Sequence, residues 1–153
     1  MKNIIYVFLI SMVPLIELRG GIIAGAGLGL PWYVNFAVCV VGSMIPVPFI
    51  LLFIRQILSW MKGVPKLQKI AMFIENKAEK NKYRVARYAT WGLALFVGIP
   101  LPGTGAWTGA LVAAMLEMRL KHALPSIFAG ALLAAAIMTI ASYGAVGAFK
   151  VFM

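Results

Sequence analysis

Apolar residues dominate three long stretches of the chain, 20–54, 88–116 and 123–149, and a single long polar interval divides the first from the second. Each stretch exceeds the roughly 18 apolar residues that mark a candidate membrane span. Two regions carry internal breaks. Residues 88–116, YATWGLALFVGIPLPGTGAWTGALVAAML, are interrupted by Pro100, Pro102, Gly103 and Gly105. Proline removes a backbone donor and clashes with the preceding turn, so no straight helix is expected here. The arms on either side hold about a dozen residues each, too few for the roughly 20 that one crossing needs. Residues 3–31 are broken in the same way by Pro14, Glu17, Arg19, Gly20 and Gly21. Residues 34–54 and 123–149 are expected to cross, the first bent by Pro46 and Pro48.

Charge gives these elements an orientation. The chain of 153 residues is 63% hydrophobic and 12% charged, with a mean hydropathy of +0.95 and a formal net charge of +10. Nine of its fourteen basic residues fall between Arg55 and Arg87. Such clustering follows the positive-inside rule, so the charge reports a cytoplasmic loop and no nucleic-acid partner is expected. Arg84 and Arg87 precede the second broken region and Arg119 and Lys121 follow it, which puts both of its ends inside. That is the pattern of a re-entrant hairpin. The first broken region, flanked only by Lys2, reads as a hairpin entered from outside. Met1 to Pro14 resembles a signal peptide, but its small-residue pair, Ala24 and Ala26, lies too far along, and the segment reads as retained. Within the polar interval, Leu67, Ile70, Ala71, Ile74 and Ala78 recur at helical spacing among lysines, and Met72 and Phe73 widen the apolar side. This predicts a basic amphipathic helix on the inner membrane surface.

An offset of 88 pairs Phe8 with Phe96, Pro14 with Pro102, Gly21 with Gly109, Ala26 with Ala114, Leu28 with Leu116 and Gly42 with Gly130. Opposite orientation of the two halves makes this an inverted repeat. The expected fold is therefore an all-α membrane protein of one domain, built twice from a re-entrant helical hairpin plus a transmembrane helix. Its halves are residues 1–55 and 88–153, joined by the basic amphipathic linker 56–87. The expected location is a bacterial or archaeal cytoplasmic membrane, crossed several times.

Residues with chemistry are scarce. There is no aspartate, and Glu75 and Glu79 sit among lysines. Glu117, Arg119, Lys121 and His122 cluster where the second hairpin leaves the membrane, as interfacial anchors. The lone Cys39, in an apolar run, excludes a disulfide within the chain and reads as a packing residue. GAGLG follows no strand and lacks a P-loop lysine, so neither nucleotide nor any other cofactor or metal is expected. Gly21, Gly25 and Gly29, and likewise Gly105 and Gly109, have the spacing that lets membrane helices pack closely. Glu17 and Arg19 differ from the rest because a second apolar stretch follows them. Ionised groups at such depth must be paired, hydrated or neutralised, and they mark ion, proton or substrate paths. Two residues apart, they point to different sides of a regular helix, but a turn broken at Gly20 and Gly21 relaxes that limit. A carboxyl group short of water holds its proton more tightly, which makes Glu17 the candidate for proton exchange. Arg19 suits an anionic group such as a phosphate. Free amides at the tips, around Gly20, Gly21, Gly103, Thr104 and Gly105, also suit an anion, and Trp107 beside them suits a flat or cationic partner.

The PxxE of Pro14 to Glu17 with its glycine-rich arm, the ELRGG stretch, and GIPLPGTGAWTG at 98–109 resemble the small multidrug export protein family. That family looks like a compact relative of the DedA, or VTT-domain, membrane proteins, and the likeness covers the chain outside its basic middle. It implies two opposed re-entrant hairpins and a transporter. For the DedA relatives it further implies proton-linked movement of lipid phosphates, with Glu17 matching the acidic group of the first hairpin. The relatives carry arginines around the second hairpin motif, where residues 96–109 have none, and Arg19 compensates from the other half. The expected function is thus secondary transport of a small amphipathic or lipid-phosphate substrate, through a path formed by Glu17, Arg19, Pro14, Gly20, Gly21, Pro100, Pro102, Gly103, Thr104, Gly105 and Trp107. Its partners are membrane lipids, protons and a lipid-phosphate or small cationic substrate, and a homo-oligomer is compatible with it. An enzyme is not expected, because acid, base and metal constellations cannot be assembled from these residues. The alternative is a non-transporting membrane factor acting through the basic amphipathic segment.

Overall fold

A computed structural model gives the arrangement of these segments. It describes residues 1–152 except 15, 102 and 103, without the side chains of 55, 57–58, 71, 73–87, 150 and 152. The described residues form helices and no strands: α1 (Lys2–Met12), α2 (Glu17–Gly27), α3 (Trp32–Met44), α4 (Pro46–Lys62), α5 (Pro65–Gly98), α6 (Ala106–Met115) and α7 (Leu120–Phe152).

Both interrupted regions break where proline removes a donor. Helix α1 ends at Met12 and Val13 turns extended ahead of Pro14, while α5 ends at Gly98 and Ile99 turns extended ahead of Pro100. The arms are short: α1 and α2 have 11 residues each and α6 has 10. At 1.5 Å per residue each reaches about 15 Å, half the thickness of a hydrocarbon core. By contrast, Trp32–Lys62 and Leu120–Phe149 are long and apolar enough to cross a membrane. The first of these bends at Ile45 and Pro46, the position expected from its prolines. Large side chains such as Phe49, Phe53, Trp91, Leu95, Phe128 and Ile140 face outward, an apolar exterior that suits lipid rather than water.

Helices α2 and α6 end alike. In each, a residue with positive φ, Gly29 (72°) or Glu117 (52°), closes the last turn. Leu30 N–H then donates to Gly25 O and Gly29 N–H to Ala26 O; Met118 N–H donates to Ala113 O and Glu117 N–H to Ala114 O. Both are Schellman caps, which satisfy the last carbonyls of a helix before the chain reverses.

The core lies in two clusters. Val7, Leu18, Ile22, Cys39, Val40, Ala131, Ala134 and Ala135 join α1, α2, α3 and α7, whereas Val47, Leu51, Leu93, Val97, Ala106, Ala110, Ala113, Ala114, Ala123 and Ile127 join α4, α5, α6 and α7. Met44, at the bend, packs against both. Small residues set the spacing. A Cβ on Gly42 would lie 3.0 Å from Phe8 O and from Ser11 Cβ, and one on Gly130 would lie 2.5 Å from Ala94 O and 2.7 Å from Val97 Cβ. Backbones touch at these crossings, as small residues permit in membrane helices.

One expectation of shape changes. The helix expected over the basic interval does form, but it runs on as α5 for 34 residues through the apolar segment up to the second break. Between Pro65 and Gly92 the sequence holds neither proline nor glycine to stop it.

Gly130→Ala is expected to destabilise the fold by about 1–3 kcal/mol, because α5 backbone blocks the added methyl. Gly144 has open space around it, so Gly144→Ala should leave the thermal midpoint in detergent unchanged or slightly raised.

Candidate functional site

The two breaks meet, and Glu17 and Arg19 are where they do so. Glu17 opens α2 with a φ of 47°, a left-handed conformation, and is 4% exposed. This residue, and not the glycine pair, makes the bend: Gly20 and Gly21 lie inside α2, and Gly20 N–H donates to Ile16 O. The turn expected at those glycines is therefore displaced to Val13, Pro14 and Glu17. The physical reason is Pro14, which stops α1; Gly20 instead leaves room for the Ile16 side chain. With Glu17 out of helical register, its carboxylate and the guanidinium two residues on can approach, Oε2 to Nη1 at 3.7 Å.

Each charge then serves a helix end in the other half. Glu17 Oε1 accepts the Trp107 backbone N–H at 2.7 Å, in the first turn of α6. A carboxylate there complements the positive end of the helix dipole. Gly105 is needed for the approach, since a Cβ at that position would occupy the carboxylate's own place. Arg19 Nη2 donates toward Thr104 O at 2.8 Å, Ile99 O at 2.9 Å, Thr104 Oγ1 at 3.0 Å and Val97 O at 3.4 Å. These are carbonyls at the negative end of α5 and in the loop beyond it, so a cation suits them. The Thr104 hydroxyl holds the loop closed by donating toward Ile99 O (2.8 Å) and Leu101 O (2.9 Å). Trp107 completes the exchange, its indole N–H donating to Met12 O, the last residue of α1, at 3.2 Å.

Between these groups lies a cavity of about 10 Å³, bounded by Glu17, Arg19, Ser43, Gly105, Ala131 and Ala134 among others. It has room for one water. Arg19 Nε is buried and has no partner among the described residues.

Of the residues predicted from sequence, Glu17, Arg19, Thr104, Gly105 and Trp107 come together. Pro14 is exposed and Pro100 half-buried in their breaks, while Gly21 packs toward Ser11 and Cys39. Pro102 and Gly103 lie outside the described residues. Of the amides expected to meet an anion, Gly20 N–H donates to Ile16 O and Thr104 N–H to Leu101 O, and Glu17 takes the Trp107 N–H in the first turn of α6. His122 is exposed at the start of α7, and among the described residues no three of His, Cys, Asp and Glu gather. Ser43, on the cavity wall, was missed, and so was Asn35, a fully buried amide in an otherwise apolar run. A polar residue inside a spanning segment was the signal for both.

The sequence profile of the family described as "Putative small multi-drug export protein" matches residues 17–137, most of the chain, with Glu17, Arg19, Thr104, Gly105 and Trp107 inside the match. The chain belongs to that family. With the apolar helices and outward-facing aromatics, this makes it a membrane protein. No curated protein and no solved structure matched it.

Removing Arg19 leaves the buried Glu17 carboxylate and the α5 carbonyls without a cation. Arg19→Ala is expected to lower stability by about 3 kcal/mol or more, read as the thermal midpoint in detergent, whereas Arg19→Lys should recover part of the loss. Equal midpoints for wild type and Arg19→Ala would show the contacts to be idle.

Proposed function

We propose that this family member is a secondary transporter in which two opposed re-entrant hairpins meet near the membrane midplane and part when Glu17 takes up a proton. The observation that carries the reading is the reciprocal capping: an acid and a base from one broken helix pair hold both helix ends of the other. Half-length arms, matching Schellman caps and the equivalent crossings at Gly42 and Gly130 support an inverted repeat. Those crossings relate Phe8 and Ser11 to Ala94 and Val97, an offset of 86 before the breaks. The offset becomes 88 beyond them, so the second break is longer by two residues.

Protonation of Glu17 removes the anion from the α6 N-terminus and the counter-ion from Arg19 in a single event. The guanidinium then carries an uncompensated charge in a poorly hydrated place, which favours release of its carbonyl contacts toward an incoming anion. Charge balance therefore favours an amphipathic substrate with one anionic, phosphate-like head over a cationic drug. On the resemblance to the DedA-type proteins, which carry arginines around their second hairpin motif, Arg19 compensates from the first half. The process is movement without covalent chemistry, in a multi-pass protein of a prokaryotic cytoplasmic membrane.

The test is flux in proteoliposomes with an imposed pH gradient, using a fluorescent polyprenyl phosphate and ethidium as probes. Wild type is expected to move the polyprenyl phosphate, Glu17→Gln to reduce that flux at least about tenfold, and Arg19→Lys to reduce it while keeping the fold. Undiminished flux in Glu17→Gln removes Glu17 from the mechanism, and preference for ethidium would reverse the proposed substrate charge.

A further inference from the structure

A buried polar face runs from the site to one end of the first half. Asn35, Cys39 and Ser43 recur every fourth residue on α3, each fully buried. At the far end, Asn35 Nδ2 donates to Ile22 O at 2.8 Å and to Tyr143 Oη at 3.1 Å, and the half-buried Tyr143 hydroxyl donates to Leu30 O at 2.7 Å. Cys39 S–H donates to Asn35 Oδ1 at 3.4 Å. At the near end, Ser43 borders the Glu17 cavity with Ala131 and Ala134 of α7. Because Asn35 meets Tyr143 and Ser43 lies beside residues 131–134, α3 and α7 run in opposite directions. Thr139 therefore falls between the two ends, one turn before Tyr143, nine-tenths buried, with a hydroxyl that has no partner among the described residues.

Packing alone does not ask for these residue types. The three equivalent positions of the second half, Ala123, Ile127 and Ala131, are buried and apolar. An unpartnered hydroxyl in a dry interior is costly, a loss that one bound water would remove.

We propose that the seam where α3 meets α2 and α7 is a proton-access path, in which water ordered by Tyr143, Asn35, Cys39, Thr139 and Ser43 connects the Leu30 end with the Glu17 carboxylate. A proton leaves water at the Leu30 end and arrives on Glu17 Oε2, reversing when the carboxylate re-ionises, and no other bond changes. The path deepens the proposed function and rests on Glu17 as the proton-carrying group. It makes access one-sided, because the positions equivalent to Asn35, Cys39 and Ser43 in the second half are apolar.

The thiol of Cys39, the single cysteine of the chain, is an internal reporter, since its S–H infrared band has no overlap from another residue. Full-length protein in lipid vesicles is transferred to D2O and the conversion of S–H to S–D is followed. Exchange within minutes is expected for wild type, slowed about tenfold in the near-isosteric variants Tyr143→Phe and Thr139→Val. Proton flux in the same vesicles, read by an enclosed pH dye, should fall in parallel. A thiol that keeps its proton for hours, or exchange and flux that are unchanged or faster in both variants, overturns the path. The thiol is read without substrate, so its protection would leave the Glu17→Gln flux assay to decide the transporter reading separately.

Discussion

A helix that stops inside an apolar environment exposes carbonyls at one end and amides at the other, and lipid offers nothing to bond them. This chain stops α1 and α5 within strongly apolar sequence, and the contacts of Glu17 and Arg19 satisfy the ends at the second break. One side chain takes the amide end of α6 and the other takes the carbonyl end of α5, while Trp107 returns a bond to α1. Each member depends on the others: Gly105 must lack a Cβ for the carboxylate to reach its place, and Glu17 must adopt a left-handed backbone for the two charges to meet. Helix termination, glycine placement and charge placement are one solution to one solvation problem.

Much of this could be read in advance, and the rest is hidden for identifiable reasons. Prolines 14 and 100 announce the breaks because a missing donor acts locally, whatever the tertiary context. Glu17 and Arg19 announce themselves because charge between apolar stretches is costly. Their partners are silent, since backbone carbonyls some eighty residues away have no signature in a residue alphabet. The left-handed turn at Glu17 was concealed by two neighbouring glycines that looked better suited to it. In the basic interval, a change in charge looked like a boundary, but charge does not end a helix, and nothing between Pro65 and Gly92 does.

Positions 88 residues apart differ in filling. One half buries Asn35, Cys39 and Ser43 where the other buries Ala123, Ile127 and Ala131. The interior around α3 is thus polar where the interior at the start of α7 is apolar.

Helix α5 has a further consequence. Its 34 residues form a rod about 50 Å long, whose last carbonyls are gripped by Arg19. The lysine-rich stretch and the carbonyls that Arg19 holds therefore belong to one continuous helix.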